Sequence, residues 1–246
     1  MLAYKFDKDT KEYLGTQTAQ KNPLESGYLL PANSTFLEAP KVAEGQVPVF
    51  ENDIWVVKTD KRGSWQVKIE DVTFSKVDYI GDAEIGYQFI TDEEYNKYQA
   101  DNDSFKVING VFVDVTDTQE YKDLKLREAK EAKLNEALIG AKDYIENVAA
   151  YRFDENNSIE ATDGNIGKLT AYALGVQTGQ IQNVYWTSKE DNVITLNQED
   201  LLRVLTGLGA IQSNVWNNKY INYKNQIEEA ETIEDVEEIE INYEDQ

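Results

Sequence analysis

All four prolines of the chain, Pro23, Pro31, Pro40 and Pro48, fall within its first 48 residues, and the remaining 198 have none. Each proline fixes its own φ and pushes the preceding residue out of the helical region. The spacing of eight or nine residues from Pro23 to Pro48 therefore excludes a helix there. It predicts an extended, ordered loop from Asn22 to Phe50. The apolar residues of that loop, Leu24, Tyr28, Leu29, Leu30, Phe36 and Leu37, imply that it lies against something. Beyond residue 117 the pattern is mostly helical, so the chain divides into a β-rich front and a mostly helical rear.

The front opens with "YKFDKDTKEYLGTQTAQ", whose alternation around "DKDT" predicts a β-hairpin. After the prolyl loop, "ENDIWVVKTDKRGSWQV" places Asp60 first and Gly63 last in a tight turn. That register pairs Thr59 with Trp65, Val57 with Val67 and Trp55 with Ile69, putting all six on one face as the core of a small β unit. Residues 71–117 form a joint. In it Thr91 and Glu94 make a capping box for a short helix, and Asn109-Gly110 is a strong hairpin signal.

Residues 118–150 are strongly helical, opened by a cap at Asp117 with Glu120. Leu134, Leu138, Ala141, Ile145 and Val148 form a narrow apolar stripe, read as packing within the chain. A shorter helix follows at 163–175, then a hairpin with Trp186 at its start. A helix capped by Asn197 and Asp200 carries Leu201 and Leu205 into the core of the rear half. The glycines of "TGLGA" suit close helix packing. Thr232 and Asp235 make a last capping pair. The final 19 residues carry ten acidic side chains and no basic one, so their end is expected to fray.

The expected architecture is α+β. It comprises a small N-terminal antiparallel β domain (1–70) with its proline-spaced loop, a hairpin-containing joint (71–117) and a mostly helical C-terminal domain (118–246) with one hairpin and an acidic tail.

Composition narrows function mainly by exclusion. Without histidine the commonest general base, the Ser-His nucleophile pair and most zinc sites are missing, and without cysteine so are disulfides and thiolate metal sites. The net charge of −22 is uneven: −1 over residues 1–70, −8 over 71–117 and −13 beyond. Such a surface repels nucleic acid and anionic lipid. No apolar run reaches membrane-spanning length, so no membrane insertion is expected. "MLAYKFDKDTKEY" lacks a basic-then-apolar leader, so no signal-directed export is expected either. The acidic loop "DENNSIEATDGN" has Ile159 and Asn165 where an EF-hand needs Gly and Glu. No Walker A or GxGxxG sequence occurs. With 46 acidic residues, any carboxylate pair chosen for glycosidase chemistry would be arbitrary.

Residues 4–67 carry an ordered series: Tyr4, Asp7, Tyr13, the triplet Asn22-Pro23-Leu24, Tyr28, Leu29, Pro31, Ala32, Thr35, Pro40, Gly45, Trp55, Asp60, Arg62 and Gly63. This order resembles the N-terminal region of tail-fibre assembly proteins of tailed bacteriophages. "REAKEAKLNEA", the Trp186 hairpin, "LNQEDLLRVL" and "IEEAETIEDVEEI" resemble a C-terminal module of unknown function in phage tail-associated proteins.

The resemblance implies a non-enzymatic protein without cofactors that binds the distal end of a trimeric tail fibre and aids its folding or trimerisation. It would act in the host bacterial cytoplasm during assembly. The runner-up is a stable virion component, a fibre adaptor or receptor-binding tip contacting other tail proteins. A glycan-cleaving tail enzyme stands third. The candidate partner-binding residues are Tyr28, Leu29, Pro31, Phe36, Lys61 and Arg62, with Trp55, Val57, Trp65, Val67, Ile69, Trp186, Leu201 and Leu205 as structural core. Compact assembly proteins usually lack so long a helical extension, which weighs toward a lasting association with the fibre.

Overall fold

A computed structural model describes residues 1–244. The protein is α+β, with antiparallel sheets mostly in the first half and helices in the second, and it divides into two compact units, 1–121 and 122–246.

In the first unit β1 (Leu2–Phe6) pairs with β2 (Tyr13–Thr18) and β3 (Ser34–Thr35). The β1–β2 turn closes because the Asp7 carboxylate accepts the amides of Asp9 and Thr10 at 2.8 Å each. β4 (Gln46–Glu51) and β5 (Ile54–Thr59) form a two-stranded hairpin. β6 (Trp65–Lys68) lies between β7 (Thr73–Lys76) and β8 (Tyr87–Ile90). Thr91 and Glu94 form the expected capping box on α1 (Asp92–Ala100). β9 (Phe105–Ile108) and β10 (Val111–Asp114) turn through Asn109 and Gly110, at φ 51° and 79°.

The hairpin expected across Asp60–Gly63 does not form. Gly63 does take a positive φ of 84°, but its amide bonds to Val77 O, and the chain leads into a different sheet. β5 instead folds back on β4 through Asn52 and Asp53, at φ 50° and 62°, two residue types that tolerate the left-handed region. The two tryptophans therefore belong to separate clusters. Trp55 packs among Phe6, Tyr13 and Phe50, while the Trp65 ring stacks on Tyr95 at 3.8 Å with the Lys76 ammonium 4.1 Å from its centroid. Val67 is fully buried with Ile90, Phe105 and Phe112, and Ile69 is half-buried beside them. Val57 is not core. It faces Pro48 across a two-stranded hairpin with no third strand beside it, and 42% of it is exposed.

Two further expectations change. β4 is a regular strand inside the proline-spaced stretch, Pro48 included. The two-residue turn puts the β4–β5 hydrogen bonds at Glu51, Val49 and Val47, so position 48 points its nitrogen away from β5 and the missing N–H costs no ladder bond. The boundary expected at residue 70 falls inside the β6–β7–β8 sheet, so residues 71–114 complete the core begun by Trp65 and Val67.

The second unit begins within α2 (Gln119–Asp143), where the Thr118 hydroxyl, not Asp117, accepts the Tyr121 amide; the cap lies one residue later than expected. α2 runs into a π-helical turn over Tyr144–Val148. The wider turn advances the face, so Ala149 is buried while Val148 is 45% exposed and leaves the apolar stripe. β11 (Ala150–Arg152) and β12 (Ser158–Glu160) form one hairpin and β13 (Val184–Thr187) and β14 (Val193–Leu196) another, with α3 (Asp163–Gln177) between them. α4 (Gln198–Ser213), capped by Asn197 and Asp200, continues through a π-helical stretch into α5 (Ile221–Glu229), and α6 (Ile233–Glu237) follows its Thr232–Asp235 box.

One cluster gathers Ile159, Leu169, Leu196, Leu201, Val204 and Leu208, with Trp186 and Leu205 half-buried against it. A second joins Ala141 and Ile145 to Val215 and Tyr243. The acidic tail is therefore docked through residue 244. Tyr243 is 5% exposed, its hydroxyl donates to Ala137 O at 2.8 Å, and Lys219 Nζ donates to Tyr243 O at 2.7 Å. Asp245 and Gln246 lie outside the described residues. Among the described residues no helix is long and apolar enough to cross a membrane.

Candidate interaction surface

The prolyl loop is tied near its start, at its middle and at Leu37, with exposed side chains between the ties. Near its start Leu29 N donates to Gln20 O at 2.8 Å, and Tyr28 bridges Lys21. Near its middle Ser34 Oγ donates to Pro31 O at 2.5 Å, and Ser34 and Thr35, buried, pair with β1. Trp55 Nε1 then donates to Leu37 O at 3.0 Å, tying the loop to the cluster of Phe6, Tyr13 and Phe50. These ties fix the backbone, yet the loop's aliphatic side chains point outward. Leu24 is 90% exposed, and Tyr28, Leu29, Leu30 and Leu37 are each 40–51% exposed. Pro31 and Phe36 are half-buried. Among Leu24, Tyr28, Leu29, Leu30, Phe36 and Leu37, Phe36 is thus the most covered, and Leu24 is almost wholly open to solvent.

Lys61 and Arg62 occupy the Asp60–Gly63 turn. Arg62 is engaged within the unit. Its guanidinium donates to both Glu12 carboxylate oxygens at 3.0 Å and to Asp60 at 2.6 and 2.9 Å. The Arg62 hydrogen bonds hold the Asp60 carboxyl below the usual range, and Asp60 and Glu12 push the guanidinium's pKa further up. Arg62 therefore fastens the turn to the start of β2, and no hydrogen bond or ion pair joins Lys61 or Arg62 to the Tyr28–Phe36 loop. The six candidate residues split into an exposed apolar loop and a charged turn that is largely self-satisfied.

A cavity of about 340 Å3 beside that turn is lined by Glu12, Glu51, Lys58, Arg62 and Tyr79 among others. Two ion pairs line it, Lys58 to Glu51 at 2.5 Å and Arg62 to Glu12 at 3.0 Å, with the Asp78 carboxylate beside them. In the second unit the Asp154 carboxylate accepts from Asn156 N and from Asn157 Nδ2, closing the acidic loop on itself. Glu190 accepts from the Ser158 amide and hydroxyl, which holds its pKa down at about 2. Among the described residues no group of three or more acidic side chains could hold a metal ion.

The chain matches no protein-family model, no curated protein and no solved structure. What distinguishes the first unit is therefore its own geometry: a tied loop that presents aliphatic side chains to solvent. The sequence signal for it was present in the density of leucines between prolines, but such a pattern reads equally as burial.

Proposed function

We propose that this chain is a non-enzymatic phage tail-fibre assembly and attachment protein, whose N-terminal unit binds the distal end of a trimeric tail fibre and aids its folding or trimerisation. The observation that carries the reading is the row of exposed aliphatic side chains, Leu24, Leu29, Leu30 and Leu37, on a loop whose backbone is pinned at Gln20, β1 and Trp55. Exposed apolar groups on a preordered backbone lose little entropy on meeting a partner. The order of motifs in residues 4–67, which resembles the assembly proteins, supplies the identity of that partner. A fibre trimer has slow non-local strand pairing and exposed edges before it closes, so a folding aid is chemically apt. The work belongs to the host bacterial cytoplasm.

The second reading, a component retained in the virion tail, is favoured by the separate packing of residues 122–244 around two clusters of their own. A unit of that size suits a lasting attachment to other tail proteins.

The test is co-sedimentation with the purified fibre trimer. Replacing Leu24, Leu29 and Leu30 together by Ser should weaken binding at least about tenfold, while the melting midpoint stays within the range of surface substitutions. Equal binding by the triple variant would remove the reading's main support. Mass spectrometry of purified virions separates the two readings, since a transient chaperone is missing from them.

A further inference from the structure

β5 is paired with β4 on one edge; on the other, Thr59 O accepts the Gly81 amide at 2.8 Å, and the stretch from Trp55 to Val57 is left uncovered. The two-residue turn at Asn52-Asp53 makes Glu51 and Ile54 a hydrogen-bonded pair, and alternation then assigns the β4 bonds to Ile54, Val56 and Lys58. The N–H and C=O groups of Trp55 and Val57 consequently point away from β4. Among the described residues no backbone or side-chain group bonds to them. The same alternation shows on the opposite strand, where Phe50 N points outward to Lys11 O at 2.9 Å.

Elsewhere the unit covers such edges. The Gln88 side chain accepts from Phe112 N at 2.8 Å and donates to Phe112 O at 2.9 Å, closing the outer edge of β10 with a single amide. Among the described residues nothing equivalent serves Trp55 and Val57 of β5. Its Lys58 is drawn to Glu51, and no proline or bulge interrupts the edge from Ile54 to Val57. Exposed aliphatic groups flank the edge on both faces of the strand: Ile54, 57% exposed, on one and Val57, 42% exposed, on the other.

We propose that the Trp55–Val57 edge of β5 is a strand-addition site, which takes an extended segment of a partner polypeptide with apolar side chains at alternate positions. Two donor–acceptor pairs two residues apart, about 6.6 Å along the strand, match another extended backbone and not a helix or a glycan. A second copy of this chain is disfavoured as occupant, because each copy carries a net charge of −22. The inference rests on the reading that the first unit binds a fibre, and it names where the fibre strand adds.

The discriminating substitution is Val57→Pro. It removes the outward donor and sets a ring against the edge, yet no β4–β5 hydrogen bond is lost, as Pro48 already shows on the facing strand. Val57→Thr keeps the backbone donor and serves as the side-chain control. Binding to the purified fibre trimer and amide exchange at residues 54–58 are the readouts.

In the free protein the amides of Trp55 and Val57 should exchange much faster than those of Val56 and Lys58. Fibre should slow the first pair by about tenfold or more, Val57→Pro should weaken binding by about tenfold, and Val57→Thr should bind nearly as wild type.

Wild-type and Val57→Pro proteins that bind fibre equally, with the two amides unprotected, would overturn the edge site and leave the fibre reading standing. Protection that grows with protein concentration in the absence of fibre would overturn it in favour of a second copy. A wild-type chain that binds no fibre removes the reading and the edge site together. Should Val57→Pro fail to fold, exchange in the wild-type complex decides alone.

Discussion

Two glycines two residues apart in α4 show how differently one residue type can be used. A Cβ on Gly207 would lie 2.2 Å from the Tyr151 ring, whereas one on Gly209 would meet nothing within 4 Å. The close approach that the sequence suggests for "TGLGA" is thus real at one position only, and it serves a tyrosine of β11. Gly207→Ala should destabilise by about 1–3 kcal/mol through overpacking, and Gly209→Ala should stabilise by up to about 1 kcal/mol through helix propensity, as chemical denaturation would measure. Tyr243 offers a pH test. Burial pushes its hydroxyl up to about 12, so the folded state favours the neutral phenol. Its contribution is therefore complete below the ordinary tyrosine pKa near 10 and is lost as pH rises from about 10 toward 12. Tyr243→Phe forfeits the bond to Ala137 O, about 1 kcal/mol at neutral pH, and should show a shallower alkaline loss than wild type over that window.

At the scale of elements, what depended on neighbours in sequence was legible and what depended on partners was not. The boxes at Thr91, Asn197 and Thr232 and the Asn109-Gly110 turn are decided within four residues, and all form. Strand pairing is a contest between turns. Asp60–Gly63 looks better on paper than Asn52-Asp53, yet the shorter turn wins because it lets Val49 and Phe50 pair with Val56 and Trp55. The π-helical turn at Tyr144–Val148 was likewise invisible, since an extra residue in a turn leaves the local composition unchanged. Its consequence is measurable. Ile145→Ala should cost about 2–5 kcal/mol, while Val148→Ala, on the same expected stripe, should stay within about 0.5 kcal/mol. Similar losses at both positions would mean that the helix continues without the wider turn.

For the whole molecule, the α+β class follows from where the prolines stop, and the proline-spaced loop could be located but not oriented, because exposure is a property of the finished fold. The tail is the sharpest instance. Its acidity argues for fraying, yet every acidic side chain from Glu228 to Glu244 is exposed while Val236 and Tyr243 are buried, so the charges stay hydrated and the apolar contacts decide. Gly140 accommodates the Tyr243 ring, which a Cβ would meet at 3.2 Å, and Lys219 holds the backbone carbonyls of Tyr243 and Glu244. Ending the chain at Glu240 should therefore uncover Ala141, Ile145 and Val215 and destabilise the second unit by about 3 kcal/mol or more. The cluster around Val67 and Phe112 shares no residue with that site, so the first unit should be untouched. Hydrogen exchange reads both at once: faster exchange over 137–145 and 215–223, and unchanged rates from β1 through β10. Unchanged rates in α2 and α5 would show the tail to be decoration, and faster exchange in both units would show that they do not unfold independently.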